Sequence, residues 1–457
     1  MSTQIFLAST LYGTATLAAA LDTGCFAPAD RRVLLVSNNA ATPETTPAVD
    51  EMPGFERLRG RFDDVISWNV TISPFHPGGW APRPDDVPLW ERHLRLAWDL
   101  GDDDVELVVE SLQVNPALGI AQIFTGAPVT VYADGLMSYG PTRSRIDPLV
   151  GARVTRLLHL NLVPGLEPLL LTEFGVEAEL VATDAFVKVL TELAELTEPA
   201  EAAEPAELAF SGEELRLPAE GQALLLGQYL SALDILTAEE EEHLHVRMLR
   251  GAVRLGHTCV VFKPHPTAPA RFSQVLEDEA RRLGAELTVL DSPVLAEVLY
   301  QRMRPALVVG CFSTALFTAS ALYGLPVARI GTGTLLERLT PYENSNRVPV
   351  TLAHALLPDL ESGQTPDAGD LTGLVRTVGF LMQPKIHPGL REAAGAYLAH
   401  RAPDTGPFFK RRRLTALGLP GGLPTRLAFL PRNAAARRMV RRARAAGTAL
   451  KAVRTRK

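Results

Sequence analysis

The sequence predicts an α/β protein that consists of two Rossmann-like domains. Short apolar runs of strand length alternate with helical patterns, which is typical of a parallel sheet covered by helices. This alternation occurs twice, and a segment rich in Glu, Ala and Pro at 195–220 separates the two series. Such a composition is typical of a linker. The length of 457 residues also suits two large α/β domains with additional segments.

The first series occupies residues 1–194. Its uncharged beginning predicts a strand, a loop of small residues at 9–14 and then a helix. Proline-rich stretches near 43–53 and 74–88 indicate surface loops. The predicted elements are strands at Gln4–Ala8, Val33–Ser37, Glu106–Val109 and Val129–Tyr132, and helices at Ala15–Leu21 and from about Asn115.

The second series occupies residues 221–384. Thr237 and Glu240, three residues apart, form a capping box that predicts the start of a helix. Residues 305–328 are uncharged and long enough to span a bilayer, but their Gly, Ser, Thr and Pro residues favour strand, turn, helix and strand. The predicted strands are Ala223–Gly227, Thr258–Phe262, Glu286–Leu290, Ala306–Val309 and Pro326–Ile330, and the predicted helices are Thr237–Leu255, Pro269–Leu283, Pro293–Arg302 and Thr314–Tyr323.

Charge divides the chain into an acidic body and a basic end. Residues 410–457 contain 15 Lys or Arg and no Asp or Glu, so they carry +15 and the rest of the chain carries −22. We predict a helix and a basic tail over 385–457, without a nucleic-acid partner because the net charge is −7. Arg clusters mixed with Phe and Leu favour an anionic membrane surface or an acidic polymer. The alternative is a solvated tail that neutralises the acidic body.

We expect a cytoplasmic protein with peripheral contact to the inner membrane face. No Lys or Arg precedes the apolar start of the chain, as it would in a secretory signal. The chain has three cysteines, and their spacing fits neither a zinc motif nor a disulfide scaffold. A sparse, odd set of cysteines suits a reducing compartment.

The first candidate site is Asp134–Gly135, directly after the predicted strand Val129–Tyr132 and Ala133. A carboxylate just past the carboxyl end of a strand points into the ligand cleft of such a sheet. The following glycine allows a ligand to approach closely. This pattern suits a general base that removes a proton from an attacking hydroxyl. The alternative is an ordinary turn, because Asp-Gly is a common turn dipeptide.

The second candidate site follows the strand Thr258–Phe262. Lys263 comes first, and His265 stands between two prolines, Pro264 and Pro266, which stiffen the turn. A histidine held beside a lysine suits a phosphate group, to which it can donate a hydrogen bond or a proton. The alternative is a rigid turn with an incidental histidine.

The third candidate site is the start of a helix at Ser313 and Thr314, after a strand that ends at Gly310. Hydroxyls and backbone N–H groups at a helix N-terminus bind anions. The alternative is a simple N-cap. Cys311 is interpreted as a small buried residue, because nothing around it indicates an activated thiolate. The Asp102–Asp104 run precedes a strand, so we interpret it as a solvated turn rather than a metal site.

The three motifs together resemble those of bacterial GT-B sialyltransferases. GT-B is the two-Rossmann-domain architecture of many glycosyltransferases. Asp134–Gly135 is similar to the end of their [DE]-[DE]-G motif, Lys263–Pro266 to their His-Pro motif, and Ser313–Thr314 to their Ser-Ser/Thr motif. Within that group the chain most resembles the bacterial α-2,8-polysialyltransferase family, over roughly residues 3–390, and the three motifs in combination carry the resemblance.

The resemblance implies an inverting transfer of sialic acid, or a related nonulosonate, from a CMP-sugar to a glycan hydroxyl, without a metal or a cofactor. Asp134 would be the general base, and His265 would support the departing CMP phosphate. The donor-binding residues would be Gly135, Lys263, Pro266, Ser313 and Thr314. Members of this family work at the inner membrane face on lipid-linked acceptors, which would give the basic tail a role.

One position departs from the family pattern, because Ala133 stands where the first acidic residue is expected. Two other functions therefore stay open. A CDP-alditol polymerase of the teichoic-acid type also uses His-Pro and Ser-rich phosphate motifs on a GT-B frame. A glycan-binding relative without catalytic activity would be consistent with Ala133.

Overall fold

The computed structural model describes residues 1–195, 221–265, 268, 271–365, 369–401 and 406–423. The chain divides into two compact units, Met1–Ala394 and Gly395–Lys457. The first unit contains both parallel sheets. The predicted linker lies almost wholly outside the described residues, as does most of the basic tail. The domain boundaries proposed above therefore stay predictions.

The first sheet has seven parallel strands in the order β3-β2-β1-β4-β5-β6-β7. Its strands are β1 Ser2–Ala8, β2 Arg31–Val36, β3 Asp64–Ser67, β4 Asp104–Glu110, β5 Val129–Ala133, β6 Val154–His159 and β7 Glu177–Leu180. Helices in this half are α1 Leu11–Asp22, α2 Phe55–Arg59, α3 Trp68–Thr71, α4 Val87–Ala97, α5 Ala117–Ile123, α6 Pro148–Gly151 and α7 Thr183–Glu195.

The second sheet has five parallel strands in the order β10-β9-β8-β11-β12. Its strands are β8 Ala223–Leu226, β9 Cys259–Lys263, β10 Glu286–Val289, β11 Leu307–Gly310 and β12 Val327–Arg329. Helices in this half are α8 Ala238–Arg254, α9 Arg271–Leu283, α10 Ala296–Met303, α11 Thr314–Tyr323, α12 Thr332–Arg338, α13 Arg347–Leu356 and α14 Leu371–Met382. Two parallel sheets of this kind confirm the predicted α/β class with two Rossmann-like domains.

Both faces of the first sheet are buried. On one face Ile5 and Leu7 pack in a cluster with Trp68 from α3. On the other, Phe6 packs edge-on against Phe26 and Phe62. A parallel sheet covered on both faces produces strands that read as continuous apolar runs, which explains why β1 was recognisable in the sequence.

Contacts between the two halves of the first unit hold the sheets together. The Arg302 Nε on α10 donates to the Ala194 carbonyl on α7 at 3.0 Å. Elsewhere, Gly379 on α14 packs closely against Leu169, and an added Cβ would overlap the leucine side chain. Contacts of α7, α10 and α14 therefore hold the two halves together.

The structure corrects the predicted start of the first helix. The loop expected at 9–14 is only two residues long, because α1 begins at Leu11 instead of Ala15. Thr10 is its N-cap, and the Thr10 hydroxyl accepts a hydrogen bond from the Gly13 N–H at 2.9 Å. Gly13 therefore lies within a helix, although glycine is a poor helix former.

The second unit begins within α15, Arg391–Arg401, and contains α16, Arg411–Leu417. Arg411 and Arg412 on α16 are exposed, whereas Leu414 is buried. The predicted basic helix at 433–446 lies outside the described residues. Among the residues that the structure describes, no helix is both long and apolar enough to cross a membrane.

The capping box of α8 leads to a stability prediction. The Thr237 hydroxyl accepts from the Glu240 N–H at 3.2 Å, and the Glu240 carboxylate accepts from the Thr237 N–H at 2.9 Å. Thr237→Ala removes the hydroxyl, so we expect it to lower the free energy of unfolding in urea by about 1 kcal/mol. Thr237→Ser keeps the hydroxyl and should stay near wild type. Equal losses in the two variants would contradict the capping role.

Candidate active site

All the predicted site residues that the structure describes follow the carboxyl ends of strands. Asp134 follows β5, His265 follows β9 and Ser313 follows β11. Lys263 is the last residue of β9. Because parallel strands end at the same edge of their sheet, these residues face the cleft side of each half. Pro266 lies outside the described residues.

The two halves meet at Gly135 and Thr314. A Cβ added to Gly135 would lie 3.2 Å from the Thr314 Oγ1. The backbone of the Asp134–Gly135 turn therefore touches the first residue of α11, which belongs to the other half. Gly135 has extended backbone, with φ −129°. What matters at Gly135 is therefore the absence of a side chain and not the conformational freedom of glycine.

Asp134 lies against the first turn of α1. A Cβ on Gly13 would lie 3.0 Å from the Thr10 Oγ1, 3.1 Å from the Tyr132 Oη and 3.3 Å from the Asp134 Oδ2. This crowding explains why glycine occurs inside the helix. Burial raises the pKa of Asp134 to about 6. At pH 7 most of the carboxylate is ionised yet more basic than an exposed aspartate, which suits a general base.

A second carboxylate, Glu110, lies at the end of β4, beside β5. It pairs with Tyr132 in the strand register, and the Tyr132 Oη lies 3.4 Å from the Glu110 Oε2. Burial raises the pKa of Glu110 to about 7, and the negative charge of Asp134 contributes to the rise. Sequence analysis missed this residue, although it directly follows the predicted strand Glu106–Val109.

Tyr12 brings a hydroxyl group to the same region. Its ring packs edge-on against Phe186, and its Oη is buried without a hydrogen-bond partner among the residues described by the structure. Burial raises the pKa of Tyr12, and the negative charges of Glu297 and Asp134 add to the effect. The phenol therefore lies within electrostatic reach of carboxylates from both halves. The sequence carried no signal for Tyr12, because its helix was predicted to start later.

Lys263 is fixed by a hydrogen bond within the second half of the first unit. Its Nζ donates to the Ser292 carbonyl at 2.8 Å. Burial lowers its pKa to about 8, and the nearby carboxylates of Glu297 and Asp291 oppose that change. Glu297 on α10 is buried and accepts a hydrogen bond from the Thr318 hydroxyl at 2.7 Å. The lysine charge is thus partly balanced by a carboxylate that sequence analysis did not identify.

His265 is exposed on the loop after β9. Its ring centroid lies 6.3 Å from that of Tyr229. Partial burial lowers its pKa, while the negative charge of Glu241 acts in the opposite direction. Glu241 itself is buried and accepts from the backbone N–H groups of Leu230 at 2.6 Å and Ser231 at 2.9 Å. This carboxylate therefore fixes the loop after β8 that adjoins the histidine.

Ser313 is the N-cap of α11, and its Oγ accepts a hydrogen bond from the Ala315 N–H at 3.2 Å. The loop after β8 separates this helix start from His265, because β8 lies between β9 and β11. In that loop the Gln228 Oε1 accepts from the Phe312 N–H at 2.9 Å. The structure therefore joins the Asp134 and Ser313 motifs directly and places the histidine motif two strands away from Ser313, after β9.

Outside these motifs, Cys311 matches its prediction, whereas Asp104 lies in a strand instead of the predicted turn. Cys311 is buried, and burial raises the pKa of its thiol, so it is not an activated nucleophile. Asp104 opens β4 and so lies at the opposite edge of the sheet from Asp134. Within the described ranges, no group of three or more His, Cys, Asp or Glu is arranged to hold a metal ion.

The contact between Gly135 and Thr314 can be tested with Gly135→Ala. The added methyl would force the turn and the Thr314 hydroxyl apart by a few tenths of an ångström. Because small displacements of reacting groups are costly, we expect turnover of the donor that the sequence resemblance implies, a CMP-sugar, to fall about tenfold. Gly60→Ala is the matched control, since a Cβ there meets nothing within 4 Å and φ is −62°. Wild-type turnover in Gly135→Ala would exclude this contact from the site.

Comparisons with known proteins identify the family. Among solved structures, a sialyltransferase GT-B domain from Photobacterium damselae is similar at 12% identity, over 77% of this chain and 96% of that one, with a TM-score of 0.40. Acinetobacter baumannii MurG is similar at 10% identity, over 92% of this chain and 98% of that one, with a TM-score of 0.39. No curated protein sequence matches the chain. The family model for alpha-2,8-polysialyltransferase matches residues 4–332. This match spans most of the chain, so the protein belongs to the alpha-2,8-polysialyltransferase family and is a glycosyltransferase of the GT-B type.

Proposed function

We propose that this glycosyltransferase moves sialic acid, or a related nonulosonate, from a CMP-sugar to a glycan hydroxyl, with inversion and without a metal. The observation that carries the proposal is the contact between Gly135 and Thr314. It brings a carboxylate of raised basicity, Asp134, beside the N-terminus of a ten-residue helix. A base and an anion site on opposite sides of one cleft are what such a transfer requires.

In this proposal Asp134 removes the proton from the acceptor hydroxyl as that oxygen attacks the anomeric carbon. Half-burial of the side chain raises its pKa to about 6. The carboxylate is therefore ionised in most molecules at pH 7, and proton transfer to it is more favourable than to an exposed aspartate. Attack from the side opposite the departing phosphate inverts the anomeric centre.

The groups of the second half would stabilise the departing CMP. The Ser313 and Thr314 hydroxyls and the first N–H groups of α11 face the growing negative charge. Lys263 commits one of its three N–H groups to Ser292. His265 has a lowered pKa, so it would act as a neutral hydrogen-bond donor until an adjacent phosphate favours its protonated form.

His265→Ala tests the proposed support of the leaving group. We expect the release of CMP from CMP-sialic acid to fall at least about 100-fold, because a proton or hydrogen-bond donor to the phosphate is lost. His93→Ala on α4, where the ring is exposed, is the control and should retain wild-type turnover. CDP-glycerol and CDP-ribitol are offered in parallel. Unchanged CMP release in His265→Ala would remove this role, and turnover of a CDP-alditol alone would replace the proposed donor.

We further propose that the basic end of the chain binds an anionic membrane surface, where a lipid-linked glycan acceptor would be available. In the described part of this region, Arg411 and Arg412 are exposed on α16. The nearby Leu414 is buried, which anchors the helix and fixes the exposed side. Exposed cations of this kind are attracted to anionic lipid headgroups by about 1 kcal/mol each.

The double variant Arg411→Gln/Arg412→Gln tests this membrane contact. It removes two exposed cations, so we expect about 30-fold weaker binding to phosphatidylserine-containing vesicles in a sedimentation assay. Arg57→Gln/Arg59→Gln removes two exposed arginines from α2 and is the matched control. Equal binding of both double variants, or equal binding to phosphatidylcholine vesicles, would contradict the proposal.

A further inference from the structure

Glu110 occupies a special position beside Asp134. Strands β4 and β5 are neighbours, and Glu110 pairs with Tyr132, two residues before Asp134. The Tyr132 Oη and the Asp134 Oδ2 lie 3.1 Å and 3.3 Å from the same point, the position of a Cβ on Gly13. The Tyr132 Oη is also 3.4 Å from the Glu110 Oε2. The Tyr132 phenol is therefore near both carboxylates, and the charge of Asp134 acts on Tyr132 as well as on Glu110.

The hydrogen bonds at Glu110 favour its ionised form. A phenol has a single proton, and the Tyr132 Oη donates it to the Leu7 carbonyl at 2.9 Å. The contact with the Glu110 Oε2 also has the phenol as donor but is longer, at 3.4 Å. Burial and the charge of Asp134 raise the pKa of Glu110, whereas hydrogen bonds from Ser9 and Tyr132 lower it. Burial therefore opposes the negative charge of Glu110, and its hydrogen bonds support that charge.

We propose that Glu110 is a positioning residue for the reaction, and that its negative charge makes Asp134 a stronger base than Asp134 would be alone. This inference rests on the proposed role of Asp134 as the general base. The physical cause is like-charge repulsion between two half-buried carboxylates, which favours the addition of a proton to one of them. When Glu110 is protonated, this repulsion disappears and Asp134 is the weaker base.

Glu110 ionises near neutral pH, where a change in the base strength of Asp134 affects the reaction. Burial raises its pKa to about 7, with a further contribution from the charge of Asp134. Coupling of this kind is reciprocal, so an ionised Glu110 favours protonation of Asp134 to the same extent. As the pH rises through about 7, Glu110 ionises and Asp134 becomes a stronger base. Asp134 itself remains ionised over this range.

Other ionisable groups face the same pair. In the first half, these groups are Tyr12 on α1 and Tyr132 on β5. Burial raises the pKa of both phenols, so they stay neutral near pH 7. From the other half, Glu297 on α10 faces Asp134 and lies near Lys263 on β9. These groups are unchanged when only residue 110 is substituted. A comparison of the wild type with a variant at residue 110, made at each pH, therefore isolates the contribution of Glu110.

Glu110→Gln tests the inference, because glutamine resembles the protonated acid but cannot ionise. We would measure kcat/KM for CMP-sialic acid and a glycan acceptor from about pH 5.5 to 8 in the wild type and the variant. We expect the ratio of wild type to variant to be close to one below about pH 6. It should increase through about pH 7 to between about two-fold and ten-fold, since ten-fold corresponds to one full pKa unit of base strength.

Two further variants separate a charge effect from a structural one. Glu110→Asp restores the carboxylate and should recover part of the increase with pH. Glu106→Gln removes a half-buried carboxylate from the same strand at the opposite end, where Glu106 accepts from the Gln4 side chain at 2.9 Å. The ratio of kcat/KM for the wild type to that for Glu106→Gln should be independent of pH. A ratio for Glu110→Gln that is likewise independent of pH would overturn the inference.

Asp134→Asn distinguishes failure of the inference from failure of the proposed function. If Asp134→Asn is inactive and the ratio for Glu110→Gln does not depend on pH, only the role of Glu110 is excluded. If Asp134→Asn retains wild-type activity, Asp134 is not the base, and the proposed mechanism fails together with the inference that rests on it.

Discussion

The close approach of Gly135 to Thr314 is the constraint on which the rest of the site depends. The first half contributes Asp134 and Glu110, and the second contributes hydroxyls, a lysine and a histidine, so the candidate site draws on both halves. The missing side chain of Gly135 lets the turn after Asp134 reach the start of α11 without displacing the Thr314 hydroxyl. Contacts far from the cleft, such as that between Arg302 and the Ala194 carbonyl, help to hold the two sheets at the distance where this approach occurs.

Burial resolves an electrostatic conflict within the site. Excluding the basic tail, the chain carries −22, and three of its carboxylates, Glu110, Asp134 and Glu297, lie in or near the cleft. An anionic donor would be repelled if all three were ionised. Burial raises the pKa of each one, which favours the neutral acids and so reduces this repulsion. In the proposed function, the helix N-terminus at Thr314 and the ammonium of Lys263 attract the donor locally despite the acidic surroundings.

Buried elements were easier to predict from the sequence than exposed ones. The helix Thr314–Tyr323 has the predicted bounds, and each strand of the second half begins and ends within one residue of its prediction. Fully buried strands such as β8 and β11 are continuous apolar runs, which makes them recognisable. In contrast, β7 is exposed and contains two glutamates, and β3 is only half-buried. Neither strand has the apolar run that marks a buried strand, so neither was predicted. Gly13 misled the prediction of α1, since a glycine required by a close tertiary contact is indistinguishable in the sequence from one in a loop.

The candidate site was predictable to the extent that its residues are neighbours in sequence. Asp134–Gly135 and Ser313–Thr314 were found because each motif is short and follows a recognisable strand. Glu110 was not, because its relation to Asp134 depends on β4 lying beside β5, and strand order is a property of the whole sheet. The alanine at position 133 suggested that a carboxylate was missing from the site. The neighbouring strand supplies one, Glu110, on the far side of Tyr132. A motif read along one strand therefore underestimates the acidic groups of this site, since parallel sheets assemble their chemistry across strands as well as along them.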